Sequence, residues 1–92
     1  AALNGQVTRI YPNPFDHRLL VDLVLSEGST LSGYLVDISG RRLEVIESRD
    51  YPEGMHTLML ETGQLAPGIY VLELTLRTSM DAQTRSYRLI RR

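Results

Sequence analysis

Leu19-Leu20-Val21-Asp22-Leu23-Val24-Leu25 and Ile69-Tyr70-Val71-Leu72-Glu73-Leu74-Thr75-Leu76 are the stretches whose reading decides the fold. In the first, Leu19, Val21, Leu23 and Leu25 alternate with Leu20, Asp22, Val24 and Ser26. In the second, Tyr70, Leu72, Leu74 and Leu76 alternate with Ile69, Val71, Glu73 and Thr75. A helix would need apolar residues three and four apart, whereas a period of two gives a strand one wholly apolar face. A half-buried antiparallel strand has this pattern, with one face on the core and the other in water.

Outward from these runs, turn-forming residues recur at short intervals: Glu27-Gly28-Ser29, Asp37-Ile38-Ser39-Gly40, Asp50-Tyr51-Pro52-Glu53-Gly54 and Ala66-Pro67-Gly68. Short strands separated by regular turns signal an all-β sandwich or barrel. The spacing predicts strands near 6–11, 18–25, 31–38, 42–48, 55–60, 69–77 and 84–91. Seven strands in a chain of this length imply an immunoglobulin-like antiparallel β-sandwich. True antibody-type domains are excluded, because the chain has no cysteine and no tryptophan. Asp37 to Gly40 reads as a tight hairpin, since aspartate accepts local backbone bonds and glycine tolerates positive φ. Pro67-Gly68 suits the central pair of a type II turn. Leu65, isolated among polar residues, is expected to plug the end of the core. The expected core holds Leu19, Val21, Leu23, Leu35, Leu58, Leu72, Leu74 and Leu89.

The chain has 92 residues, enough for one domain with a thin core. Apolar residues at 42% and charged residues at 23% exclude a disordered tail. No apolar run is long enough to span a bilayer. No signal peptide is visible at Ala1, so the stretch reads as a piece of something longer. With no cysteine there is no disulfide framework and no thiolate metal site. All ten basic residues are arginine, and the formal charge of −1 gives no reason to expect nucleic acid as a partner. The charge is uneven. Residues 77–92 hold five arginines against the single acid Asp81, whereas residues 1–76 hold the other five against ten acids.

Chemistry is scarce. His17 follows Asp16 in a polar bend without a third metal ligand or a nucleophile. His56 is in phase with Leu58 and Leu60, so it is expected at the edge of the core with its ring hydrogen-bonded. No serine sits in a nucleophile elbow, and there is no phosphate-cradling glycine loop or acidic calcium loop. Glu44 and Glu47 have opposite strand phases and read as solvent-side and rim charges. Nothing supports a catalytic centre, a cofactor or a metal.

Three segments carry more pattern than composition requires. Ile10-Tyr11-Pro12-Asn13-Pro14-Phe15 brackets an asparagine with two prolines, which restricts the backbone to a stiff extended turn. By ordinary turn logic it would simply be a rigid entry to the next strand. Leu65-Ala66-Pro67-Gly68-Ile69-Tyr70-Val71 reads as a turn followed by a core strand. Tyr87-Arg88-Leu89-Ile90-Arg91-Arg92 reads as an edge strand whose charges deter sheet-to-sheet aggregation. In strand phase Tyr87 and Leu89 face one side, with Arg91 expected at the exposed end of that row. Arg88, Ile90 and Arg92 face the other side, which is expected to be open to a partner.

Together these segments resemble the type A C-terminal sorting domain of proteins exported by the type IX secretion system of Bacteroidota. That family opens on a Tyr-Pro-Asn-Pro element, matched by Tyr11 to Pro14, and carries an Asp-x-x-Gly-Arg hairpin, matched by Asp37, Gly40 and Arg41. Gly54, His56 and Leu58 match its Gly-x-His-x-Leu strand. Leu65, Ala66, Gly68, Ile69 and Tyr70 match its Leu-Ala-x-Gly-x-Tyr element. Arg88 to Arg92 match its short basic ending, with arginine where the family usually has lysine, which keeps the charge and changes the donor geometry. The resemblance covers residues 10–92, leaving 1–9 as the end of a linker and the start of the first strand.

The resemblance implies a non-catalytic export address behind a covalently attached cargo protein, bound for secretion or the cell surface via the periplasm. It implies recognition by an outer-membrane translocon, then removal by a sortase-type peptidase that attaches the cargo to a surface lipopolysaccharide. The residues expected to carry recognition are Tyr11, Pro12, Asn13, Pro14, Pro67, Gly68, Tyr70, Arg88, Ile90, Arg91 and Arg92. The alternative is a permanent immunoglobulin-like spacer or adhesion module of an extracellular protein. A small carbohydrate-binding module would need exposed aromatic platforms. The chain has no tryptophan and one phenylalanine, and its five tyrosines form no cluster in the sequence.

Overall fold

Alternation along the chain is realised as seven strands in a computed structural model, which describes residues 5–92. They are β1 (Gly5–Tyr11), β2 (Arg18–Leu25), β3 (Ser29–Asp37), β4 (Arg42–Tyr51), β5 (Gly54–Glu61), β6 (Gly68–Arg77) and β7 (Ala82–Arg91). Each expected strand is present, with bounds shifted by three residues at most. There is no helix among the described residues. The part of the expected linker at residues 1–4 lies outside them.

The strands form two antiparallel sheets, β1-β2-β5 and β4-β3-β6-β7. Inward residues of both sheets make one core: Leu19, Val21, Leu23 and Leu25 from β2, Leu31 and Leu35 from β3, Tyr70, Leu72, Leu74 and Leu76 from β6, and Leu89 from β7. Seven of the eight expected core residues are buried. Leu58 is only partly buried and packs against the core's margin. It lies on β5, an edge strand with one neighbour, where a groove toward β4 leaves its side open.

Strand register sorts the connections between two ends. One end gathers the β1–β2, β3–β4 and β5–β6 connections and the finish of β7. The other gathers β2–β3, β4–β5 and β6–β7 and the start of β1. Phe15, fully buried in the β1–β2 connection, closes the first end, and Leu65 packs against the same core as expected.

The β3–β4 turn forms as anticipated. The Gly40 amide donates to the Asp37 carbonyl at 3.0 Å, and Gly40 adopts a φ of +87° that disfavours any side chain. The Asp37 Oδ1 accepts from the backbone amides of Ser39 (2.9 Å) and Arg41 (3.0 Å) and from the Ser39 hydroxyl (2.6 Å). Pro67-Gly68 differs from expectation. Gly68 has a φ of +150°, far from the roughly +80° of a type II turn, and it already belongs to β6, paired with Arg91. The Ala66 carbonyl, which would close such a turn, accepts the Tyr70 hydroxyl at 2.6 Å instead.

Candidate functional site

The site is best built from Asn13. The Tyr11-Pro12 and Asn13-Pro14 peptide bonds are both cis, and the segment between β1 and β2 lies against the last residues of β7. There the Asn13 Oδ1 accepts the Ile90 amide at 3.0 Å. Phe15 continues the contact as a short parallel pairing: its amide donates to the Ile90 carbonyl and the Arg92 amide donates to its carbonyl, both at 2.8 Å. Asn13 thus satisfies an edge amide that β6 cannot reach. The Phe15 ring turns into the core beside Tyr70, with centroids 6.3 Å apart.

Arg91 fastens this clip. Its strand phase points it inward, and its side chain is only 11% exposed, beside the Asp16 carboxylate at 3.7 Å. It also donates to the carbonyls of Thr62 (3.4 Å) and Gly63 (3.2 Å) and to the carbonyl of Arg92. Thr62 is fully buried, its hydroxyl donating to the Asp16 carbonyl at 2.8 Å and its amide to the His17 carbonyl at 2.8 Å. The expectation that Arg91 stands exposed is therefore corrected. An arginine at an inward strand position finds carbonyls and a carboxylate there that replace its hydration.

The expected recognition residues thus meet at one end of the sandwich, in two groups. Tyr70 is buried and hydrogen-bonded, Arg91 is held by the β5–β6 connection, and Tyr11 is half-buried with its hydroxyl 3.3 Å from Asp22 and the Arg9 guanidinium 3.8 Å from its ring centroid. These residues position the rest. Pro12, Asn13, Pro14, Pro67, Gly68, Arg88, Ile90 and Arg92 are exposed. Arg88, Ile90 and Arg92 do face outward. Arg88 makes no ion pair among the described residues, and Arg92 only a long one to Asp16 at 3.9 Å. Opposite them across β6 lie Ile69, which pairs with Ile90, and Val71, which pairs with Arg88. The outward surface is apolar at its centre and cationic at its margin.

Sequence reasoning missed Asp16 and Thr62, and it gave Phe15 no role. A signal for Phe15 existed: it is the only phenylalanine, directly after the proline motif. Thr62 carries no such signal. The Gly54-His56-Leu58 motif lies apart, since Gly54 starts β5 at the opposite end. His56 sits at the core's margin as expected, its Nε2 2.8 Å from the Pro52 carbonyl and its ring edge-on to Tyr51. No group of three metal-ligating side chains occurs among the described residues. The tyrosines are dispersed as well: Arg42 lies over Tyr34, Tyr51 meets His56, Tyr70 is buried and Tyr87 packs inward.

Comparison with protein families matches residues 9–86 to the secretion system C-terminal sorting domain. No curated protein and no solved structure matches the chain.

Proposed function

This chain belongs to the C-terminal sorting domain family of type IX secretion, and from that premise we propose how its sandwich serves as the address. The family is a secretion sorting signal and not a catalytic one, so membership implies an attached cargo, recognition by the type IX machinery, and secretion or display at the cell surface. The permanent-spacer reading is not favoured by this match.

In the proposed reading, residues 10–92 form the sorting unit and residues 1–9 bring the linker from the cargo into β1. The cargo passes through the periplasm, and the outer-membrane translocon reads the end where β7 and the proline segment meet. Pro12, Asn13, Pro14, Pro67, Gly68, Arg88, Ile90 and Arg92 provide the contact surface, and Tyr11, Tyr70 and Arg91 hold it in place. A sortase-type peptidase then releases the cargo onto the cell surface. The unit itself performs no chemistry and needs no cofactor. The observation that carries this reading is the convergence of three separate sequence motifs on one end of a fold whose family is a sorting signal.

The test is a fusion of residues 1–92 to the C-terminus of a foreign periplasmic protein in a type IX host. The unaltered fusion is expected in the medium or on the surface. A fusion with Arg88→Ala and Arg92→Ala is expected to fold, since exposed substitutions change stability by under about 0.5 kcal/mol, yet to be exported poorly. Export of that folded double variant at the normal level would remove the basic margin from the recognition surface.

A further inference from the structure

The peptide groups of Ile90 and Arg92 point away from β6, because Asn13 and Phe15 take them up. The β6–β7 register runs without a shift from Gly68↔Arg91 to Arg77↔Ala82. Strand alternation then directs the amides and carbonyls of Thr84, Ser86 and Arg88 outward too. There they meet no other strand among the described residues. Among the described residues β7 is therefore half-filled: residues 13–15 occupy the last part of its edge and leave the earlier part open.

The other edges are less inviting. β1 has a register shift between Val7 and Arg9, and the β3–β4 pairing shifts twice between Leu31 and Tyr34. Such irregularities blunt an edge against further pairing. β5 pairs without a shift, but among the described residues no segment is added to it, and it carries an acid, Glu61. β7 holds Arg85, Arg88 and Arg91 with no acid in the strand, and Arg88 is exposed and makes no ion pair among the described residues. A second copy pairing along this edge would bring two net-positive stretches together, which disfavours self-association.

We propose that the open edge of β7 from Thr84 to Arg88 accepts an extended segment of the export machinery as a fifth strand of the β4-β3-β6-β7 sheet, and that this segment alternates apolar residues with carboxylates. Main-chain hydrogen bonds would supply the pairing, as in other strand additions, and the arginines its charge preference. The partner's biological identity rests on the sorting reading, but the edge can be tested apart from it.

The test uses the isotopically labelled 92-residue chain and amide exchange followed by NMR. Three capped nonapeptides serve as probes: one alternating valine with glutamate, its lysine counterpart, and the glutamate peptide N-methylated at alternate amides. At tenfold excess over its Kd the glutamate peptide should slow exchange at Ser86 and Arg88 by about tenfold. The N-methylated and lysine peptides should not. Ser86→Pro removes an outward amide without touching the ladder to β6, so the chain stays folded and binding falls tenfold or more. Arg88→Glu should transfer the preference to the lysine peptide. Equal protection by the lysine or N-methylated peptide, or unchanged binding to Ser86→Pro, would overturn the proposal. Fusion export separates the two readings: a wild-type fusion that is exported while the peptides fail to bind sinks the edge and leaves the sorting role standing.

Discussion

The two ends of the sandwich are closed in different ways. At the far end the turns satisfy themselves locally: the Ser29 hydroxyl donates to the Glu27 carbonyl, and Thr78 receives the amides of Met80 and Asp81 on its hydroxyl. At the clip end the bonds join residues far apart in sequence, Asn13 to Ile90 and Asp16 to Thr62 and Arg91. Local turns can form before the rest of the chain is in place, whereas the clip must wait for both β1–β2 and β7. Closing a long loop costs entropy that only the assembled sandwich repays. The clip end is therefore a property of the complete fold, and the surface proposed for recognition stands on it.

The largest expected effect tests whether the clip is structural at all. Phe15→Ala removes a fully buried ring from the closure of the core and should cost about 3–5 kcal/mol. That is a large fraction of the roughly 5–15 kcal/mol by which small domains are stable. Urea unfolding of the variant measures it. A loss under about 1 kcal/mol would mean that the core closes without the clip, and the contrast between the ends would fail.

The next effect separates two arginines three residues apart on β7. Arg91→Ala strips partners from Asp16 and from the carbonyls of Thr62 and Gly63, and should cost about 1.5–3 kcal/mol, the range for hydrogen bonds to charged groups. Arg88→Ala touches none of these and should stay within about 0.5 kcal/mol. Thermal midpoints measured side by side decide the matter. Equal losses would place both arginines in the same structural class.

That pair also shows what was legible in the sequence. The strands, the sheet faces and most of the core follow from the period of two, since each strand states its own pattern in adjacent residues. Even the inward phase of Arg91 was readable. Its burial was not, because arginine is exposed by default and the groups that change this belong to Asp16, Thr62 and Gly63 on other connections. The proline motif could be read as a stiff turn, but nothing near Asn13 says that its side chain ends on Ile90. Pro67-Gly68 misled because Gly68 is already paired with the distant Arg91 in the β6–β7 ladder, and the Tyr70 hydroxyl takes the carbonyl that a type II turn would have used. Local chemistry was legible, and long-range pairing was not.

A smaller effect compares one side-chain bond at each end. Asn13→Ala removes the acceptor of the Ile90 amide and should cost about 0.5–1.5 kcal/mol, the net worth of a typical hydrogen bond. Thr78→Ala removes the hydroxyl acceptor for two exposed turn amides at 3.3 and 3.2 Å, which water can replace, and should cost under about 0.5 kcal/mol. Amide exchange sharpens the comparison. Asn13→Ala should speed exchange at Ile90 and Arg92 on the distant strand, whereas the effect of Thr78→Ala should stay within its own turn. Spread of the Thr78→Ala effect beyond residues 78–82 would show that the far end is not closed locally.

The smallest effect belongs to Asp37, which sits at the clip end but behaves as the far end does. The hydrogen bond from the Ser39 hydroxyl is the largest influence on its carboxyl; desolvation, the next largest, opposes it, and the amides of Arg41 and Ser39 with the charge of Arg41 leave the group below the ordinary aspartate value. A folded value below the unfolded one means that the unfolded chain binds the proton more readily. Stability from this group is therefore fully present above the unfolded value of about 3.9, and is lost as pH falls through the folded value. Asp37→Asn keeps the shape and the acceptor oxygen but cannot titrate. The gap in thermal midpoint between the parent chain and Asp37→Asn should therefore stay constant from about pH 7 to pH 5 and narrow below about pH 4. Because the turn's bonds span at most four residues, exchange at Ile90 should not respond to this substitution at any pH. A gap that stays constant into strong acid, or a response at Ile90, would mean that the turn is coupled to the clip and not closed on itself.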